Sequence, residues 1–167
     1  TPQEVLQGVL LGIDVFELVY PAEAAVGGIA LTFDTEMPSE EGAEAETEAD
    51  CEALLSPSST SRILPVRQLR LRAAECREDF GPISPSSPVK QYSRAYLYHL
   101  HEVHELLGTM LLAQHNFFVY RNFFEAIRRH VREGSIRRYA TWFLKTQTCE
   151  GPPPEKAPER PSKRQKI

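Results

Sequence analysis

Thr1-Pro2-Gln3-Glu4-Val5-Leu6-Gln7-Gly8-Val9-Leu10-Leu11-Gly12, followed by Ile13-Asp14-Val15-Phe16-Glu17-Leu18-Val19-Tyr20-Pro21, reads as a helix that feeds a strand. Thr1 stands where an N-cap belongs and Pro2 at the first helical position, where a missing N–H costs nothing. Glu4 sits at the capping-box position. Val5, Val9 and Leu10 supply an apolar stripe, and Gly12 ends the helix. The mostly apolar run 13–20 then predicts a strand stopped by Pro21. A helix feeding a short apolar strand is the repeating half of an α/β fold with a parallel sheet. A second short strand, Ile29-Ala30-Leu31-Thr32-Phe33, follows a Gly27-Gly28 turn.

Working outward, the pattern divides the chain into a helix–strand unit at 1–33, an insertion at 34–61, a C-terminal region at 62–147 and a tail at 148–167. Residues 34–61 are rich in Glu, Ala, Ser and Thr and carry no apolar period, which reads as a disordered acidic insertion, a solvated spacer before a protein-binding tail. Val66, Leu69 and Leu71 alternate as a strand does, and the Pro- and Ser-rich residues 81–91 read as loop. From Ser93 the spacing of Ala95, Leu97, Leu100, Val103, Leu106, Leu107, Met110 and Leu111 is helical. Phe117, Phe118, Phe123, Phe124, Ile127 and Val131 carry the pattern on to Gly134. A last helix over 136–145 holds Tyr139, Trp142 and Phe143. The tail is Pro-rich, then basic, and predicts disorder.

Composition narrows the function classes. The chain has 167 residues and a formal net charge of −4, with the acidic residues gathered at 34–52 and most arginines beyond Arg62. No apolar run reaches the ~20 residues that span a bilayer, and no signal-peptide pattern opens the chain. Cys51, Cys76 and Cys149 are odd in number and far apart, which fits reduced thiols better than a disulfide framework. Thr1-Pro2 enters a helix without an initiator methionine, so the chain reads as a fragment.

Several side chains are candidates for chemistry. His99, His101 and His104 lie close together with Glu105 on a predicted helix, but no two are four apart, as a zinc-protease pair requires; polar positions on a part-exposed face are the plainer reading. His115-Asn116 lies in an apolar stretch, where a buried ring must find a partner. A satisfied core histidine is the default there, and a metal ligand the alternative. Asp14 and Glu17 flank a strand end, where α/β enzymes hold acid–base groups, although a structural acid is the plainer reading. Lys163-Arg164-Gln165-Lys166 is a short basic cluster of the nuclear-import or phosphate-binding kind. Nothing matches a Walker loop, a nucleophile elbow or a dinucleotide fingerprint. These residues alone license an α/β domain with a helical C-terminal end.

Two sets of blocks extend the reading. The first is Pro2-Gln3-Glu4-Val5-Leu6, Gly12-Ile13-Asp14-Val15-Phe16-Glu17, Tyr20-Pro21 and Gly28-Ile29-Ala30-Leu31-Thr32-Phe33. The second is Glu78-Asp79-Phe80-Gly81-Pro82, Ser93-Arg94-Ala95-Tyr96-Leu97-Tyr98-His99-Leu100, Glu105-Leu106-Leu107 and His115-Asn116. In this order, over roughly residues 2–33 and 78–131, the chain resembles the tRNA-guanine transglycosylase family. The resemblance implies the C-terminal part of a TIM (β/α)8 barrel. The implied activity is base exchange, in which an aspartate nucleophile attacks the ribose C1′, displaces guanine and leaves a covalent intermediate for queuine to resolve. That aspartate follows the Phe of the GxDxF block, and the matching residue here is Glu17. One added methylene displaces the carboxylate, and misplacement near 1 Å costs ~10²-fold. Catalytic members follow the next Pro with Thr-Arg, whereas this chain has Pro21-Ala22-Glu23. Glu17, Tyr20-Pro21 and the acidic insertion resemble the family's accessory, non-catalytic lineage, which pairs with a catalytic subunit as a heterodimer acting on tRNA. A catalytically active transglycosylase using Asp14 or Glu17, and a degenerate interaction module, are the alternatives.

The resemblance also implies zinc. It places a Cys-x-Cys-x-x-Cys cluster before the Arg94-Ala95-Tyr96 block and takes the fourth ligand from the His of the His-Asn pair, a closed tetrahedral site. Residues 83–91 contain no cysteine, and Cys76 cannot replace three ligands. His115 is left as the only matching ligand, which predicts no tight zinc here. So abrupt a Pro/Ser stretch between matched blocks reads as a wrongly joined coding segment more readily than as a decayed site. Loss of zinc predicts a less stable fold. Arg121, Arg128, Arg129, Arg132, Arg137 and Arg138 form a basic surface for tRNA phosphates or an acidic partner, a solvated helix face being the plain alternative. The resemblance implies a cytoplasmic protein with peripheral association at the mitochondrial outer membrane. An open piece of barrel is expected to expose apolar helix faces and to dissolve poorly.

Overall fold

The first helix forms as its end signals dictate. In the computed structural model, which describes residues 1–38 and 65–148, α1 spans Pro2–Leu10 and Thr1 caps it. The Glu4 amide donates to Thr1 Oγ1 at 3.4 Å, while the Glu4 carboxylate meets the N-terminal ammonium at 2.7 Å. Gly12 takes φ +88° just past the helix end, a left-handed turn that suits glycine.

The strand expected over 13–20 does not form. Residues 13–19 are irregular and mostly exposed, Val15 by 87%. A strand's amides and carbonyls need a ladder partner, and no strand among the described residues lies beside this segment. Only Phe16 turns inward, its ring against Gly8 and within 6.0 Å of the Phe124 ring. A Cβ on Gly8 would come within 2.7 Å of that ring, so glycine is what lets it in. Pro21 does not stop a strand. It lies in the first turn of helix α2, Tyr20–Val26, where its fixed φ is pre-set for a helix.

Strand β1, Ile29–Leu31, lies where the sequence predicts it, and the strand expected around Val66–Leu71 is β2, Gln68–Arg70. They pair antiparallel, Ala30 opposite Leu69, and not in the parallel sense expected. The ladder itself sets the sense: the Leu71 amide donates to the Gly28 carbonyl and the Thr32 amide to the Arg67 carbonyl, so the two segments run in opposite directions. That insertion beyond residue 38 and the tail beyond residue 148 lie outside the described residues. A 3₁₀ turn over Ala74–Glu78 follows β2.

The helical pattern from Ser93 onward breaks once. Helix α3, Arg94–Glu102, is capped by the Ser93 hydroxyl, which accepts the Tyr96 amide at 3.1 Å. It ends with His104 in the left-handed region (φ +57°), while the Glu105 amide returns to the Leu100 carbonyl at 2.9 Å. The break folds the chain back on itself at Gly108, where a Cβ would lie 2.9 Å from Leu100 Cβ. Helix α4 then runs Leu106–Arg132, and α5 runs Ile136–Thr146.

Helix α4 serves two cores. One gathers Leu6, Leu31, Phe33, Tyr120, Phe123, Tyr139 and Phe143; the other gathers Ala30, Leu71, Val89, Leu97, Leu100 and Leu112. Ala30 and Leu31 fall into different cores because successive residues of a strand face opposite ways. The described residues thus form a mixed α/β arrangement dominated by helices. None of their helices is long and apolar enough to cross a membrane.

Candidate functional site

In an antiparallel strand every second residue directs its backbone groups away from its partner. The residues flanking β1, Gly28 and Thr32, bond to the residues flanking β2, through Leu71 N to Gly28 O and Thr32 N to Arg67 O. Ile29 and Leu31 therefore face the other edge, and two consecutive side chains of α4 meet them. His115 Nε2 lies 2.9 Å from the Leu31 carbonyl, and Asn116 Oδ1 accepts the Leu31 amide at 2.9 Å. Asn116 Nδ2 donates to the Ile29 carbonyl at 2.9 Å and to the Pro21 carbonyl at 3.1 Å. The His-Asn pair thus stands in for a third strand and ties β1 to the start of α2.

His115 is 1% exposed. A carbonyl only accepts, so Nε2 carries the hydrogen, and Nδ1 takes a hydrogen bond from the Ser87 hydroxyl at 2.9 Å. Burial holds the imidazole's pKa below its usual value, with the Leu31 carbonyl acting the other way. Ser87 Oγ also accepts the Val89 amide at 3.2 Å. This is the satisfied core histidine that the sequence allows as the default.

The loop around Ser87 does not fit the zinc site that the resemblance implies. Its side chains offer hydroxyls, where a closed zinc site needs thiolates and imidazoles. Both His115 nitrogens already have partners. Among the described residues no three His, Cys, Asp or Glu side chains gather as a metal would need. Cys76 is buried, its thiol is pushed up by burial and its Sγ lies 3.5 Å from the Arg70 carbonyl. A protonated thiol is a poor ligand.

The other candidates do not converge. Asp14 and Glu17 sit on the exposed segment 13–19, and among the described residues Glu17 enters no hydrogen bond or ion pair. His99 and His104 are exposed, whereas His101 is buried. Burial and the nearby Arg72 hold the His101 pKa down, and its Nε2 finds no partner among the described residues. Glu105 lies at the cap of α4. Of the arginines, Arg121 pairs with Glu125 at 3.4 Å and Arg129 with Glu36 at 2.7 Å. Arg128 and Arg132 rim a groove of about 660 Å³ whose apolar wall includes Val9, Phe16, Phe117 and Ile127. Ile13, Val15, Leu18, Phe117 and Val131, which also line it, are exposed apolar side chains of the kind expected. The basic cluster 163–166 lies outside the described residues. Sequence reasoning missed Ser87, because nothing in a Pro/Ser run marks one serine from the next.

A family model described as queuine tRNA-ribosyltransferase matches residues 1–148. The queuine tRNA-ribosyltransferase accessory subunit 2 of Xenopus laevis is 32% identical over 161 residues, covering 83% of this chain and 37% of that protein. Its namesake in Anopheles gambiae is 34% identical over 139 residues, covering 81% of this chain and 27% of that protein. A queuine tRNA-ribosyltransferase-like protein of Plasmodium falciparum is 28% identical over 151 residues, 86% of this chain and 60% of that protein. The chain therefore spans less than two thirds of each of these relatives.

Proposed function

Because the chain belongs to the queuine tRNA-ribosyltransferase family, we propose that it is the C-terminal part of a (β/α)8-barrel accessory subunit with no chemistry of its own. It supports a catalytic subunit in a heterodimer that exchanges guanine for queuine at the tRNA wobble position. The observation that carries this reading is Glu17. It occupies the position where the resemblance implies an aspartate nucleophile, yet it stands on an exposed, irregular segment without a hydrogen bond or ion pair among the described residues. Nucleophilic attack at a ribose carbon demands a carboxylate held within a fraction of an ångström, and no side chain among the described residues holds this one.

Two further features support the reading. Glu23 lies in the first turn of α2, near where the resemblance implies an arginine, so a phosphate would meet repulsion there. Two of the relatives are also named accessory subunit 2. The domain division at 33, 61 and 147, the cytoplasmic setting and the contact of the α4–α5 arginines with tRNA belong to the same proposal. Glu17→Gln in the assembled pair tests it. Guanine exchange is expected to continue at the parental rate, and its abolition identifies Glu17 as the nucleophile and overturns the non-catalytic role.

A further inference from the structure

We propose that residues 79–94 form a metal-free clasp in which the Ser87 hydroxyl takes the place at His115 that zinc holds in the family's implied site. The inference rests on family membership and does not depend on whether Glu17 is catalytic.

Three layers of contact carry it. At the base, Arg94 Nη1 donates to Asp79 Oδ2 at 2.6 Å, and the Arg94 and Ala95 amides donate to the Gly81 and Asp79 carbonyls at 2.9 and 2.8 Å. Asp79 also accepts the Gly81 amide at 2.8 Å, and Pro82 bridges to Ser93 across the neck of the loop. In the middle, Ile83 and Val89 are buried, and both join the core shared with Leu97 and Leu112. At the tip, Ser87 is 2% exposed and joins His115 on α4 to the Val89 amide through one oxygen.

A structural zinc ties a loop to a distant helix by sharing one ion among their side chains. Here the same two elements, the loop before α3 and the middle of α4, are tied by a hydroxyl that donates to one and accepts from the other. The ring keeps a partner on each nitrogen, so neither nitrogen of the buried imidazole is orphaned. A hydroxyl is neither soft nor ionised at neutral pH and is a poor substitute for a thiolate on zinc. The chemistry of the loop suits the hydrogen bond and not the metal. A wrongly joined segment has no reason to bury Ile83 and Val89 in the core or to aim Ser87 at His115, so the inference favours a loop that has replaced its metal.

The test combines metal content with stability. The purified protein, expressed in zinc-supplemented medium, is analysed for metal and melted with and without EDTA. Substoichiometric zinc and an unmoved Tm are expected. One zinc per chain with a chelator-induced fall in Tm overturns the proposal, whatever Glu17 does. Ser87→Ala in the same protein orphans His115 Nδ1 and is expected to lower Tm by roughly 5 °C. An unchanged melt in that variant removes Ser87 from the role.

Discussion

Two stretches of this chain, 13–20 and 29–33, read equally well as strands, and only the second contains one. Both are short, apolar and bounded by glycine or proline. The difference lies in what stands beside them. Strand β1 has β2 on one edge and the side chains of His115 and Asn116 on the other. The segment 13–19 has no strand beside it among the described residues, so its backbone stays out of any ladder. Apolar pattern tells which residues seek burial, but hydrogen-bond partners decide whether a strand forms. The contrast also separates the functional candidates. The residue matching the nucleophile, Glu17, falls in the unpartnered stretch, and the residue matching a metal ligand, His115, falls in the over-determined one.

The comparison is broken most severely at Asn116. Asn116→Ala removes the partners of Leu31 N–H, Ile29 C=O and Pro21 C=O together, and is expected to cost about 3–5 kcal/mol in a denaturant melt. A loss under ~1 kcal/mol would mean that β1 does not depend on its side-chain edge.

Gly108→Ala tests the second core, where Ala30 packs. The added methyl would press on Leu100 Cβ across the α3–α4 crossing, and about 1–3 kcal/mol of destabilisation is expected from overpacking. An unchanged melting temperature would show that the crossing has room to spare.

Acid is expected to weaken both cores. Burial holds the pKa of His101 below its usual value, helped by Arg72. His130 is likewise held down, by burial and by Arg129 and Arg138, against the opposite pull of Glu133 and Glu36. An imidazole depressed on folding binds fewer protons in the folded state than in the unfolded one. Its contribution is therefore complete above the unfolded value, about 6.5, and is lost as pH falls through the folded values. The melting temperature should be lower at pH 5.5 than at pH 7.5, and a rise on acidification would contradict the assignment.

The smallest effect belongs to the unpartnered stretch. Val15→Ser, at an 87% exposed position, should shift stability by less than ~0.5 kcal/mol. A larger loss would show that the segment packs against something in the folded protein.

How much of this was legible in the sequence follows the same division. Helix α1 was readable because Thr1, Pro2, Glu4 and Gly12 carry its end signals locally, and α5 because Gly134 and the aromatic spacing do the same. The burial of His115 was legible from the apolar run around it. Its partners were not, since Leu31 lies 84 residues away and Ser87 is 28 residues away in an undistinguished loop. Helix α2 was hidden because Pro21 ends a strand as readily as it begins a helix, and only the absent ladder decides between them. The break at His104 was missed because a helical period runs through it unbroken. The helix stops there with His104 in the left-handed region and the Glu105 amide on the Leu100 carbonyl, a turn that no glycine or proline in the sequence announces. The Glu17 position was readable only through family resemblance, as a lone carboxylate after an apolar run has no chemical signature of its own.

The most direct measurement is guanine exchange into tRNA by the full-length protein, alone and mixed with a catalytic transglycosylase subunit that it is tested to co-purify with. The accessory role predicts a stable pair that is active while each protein by itself is silent. Exchange by this protein alone, lost on Glu17→Gln, would contradict it.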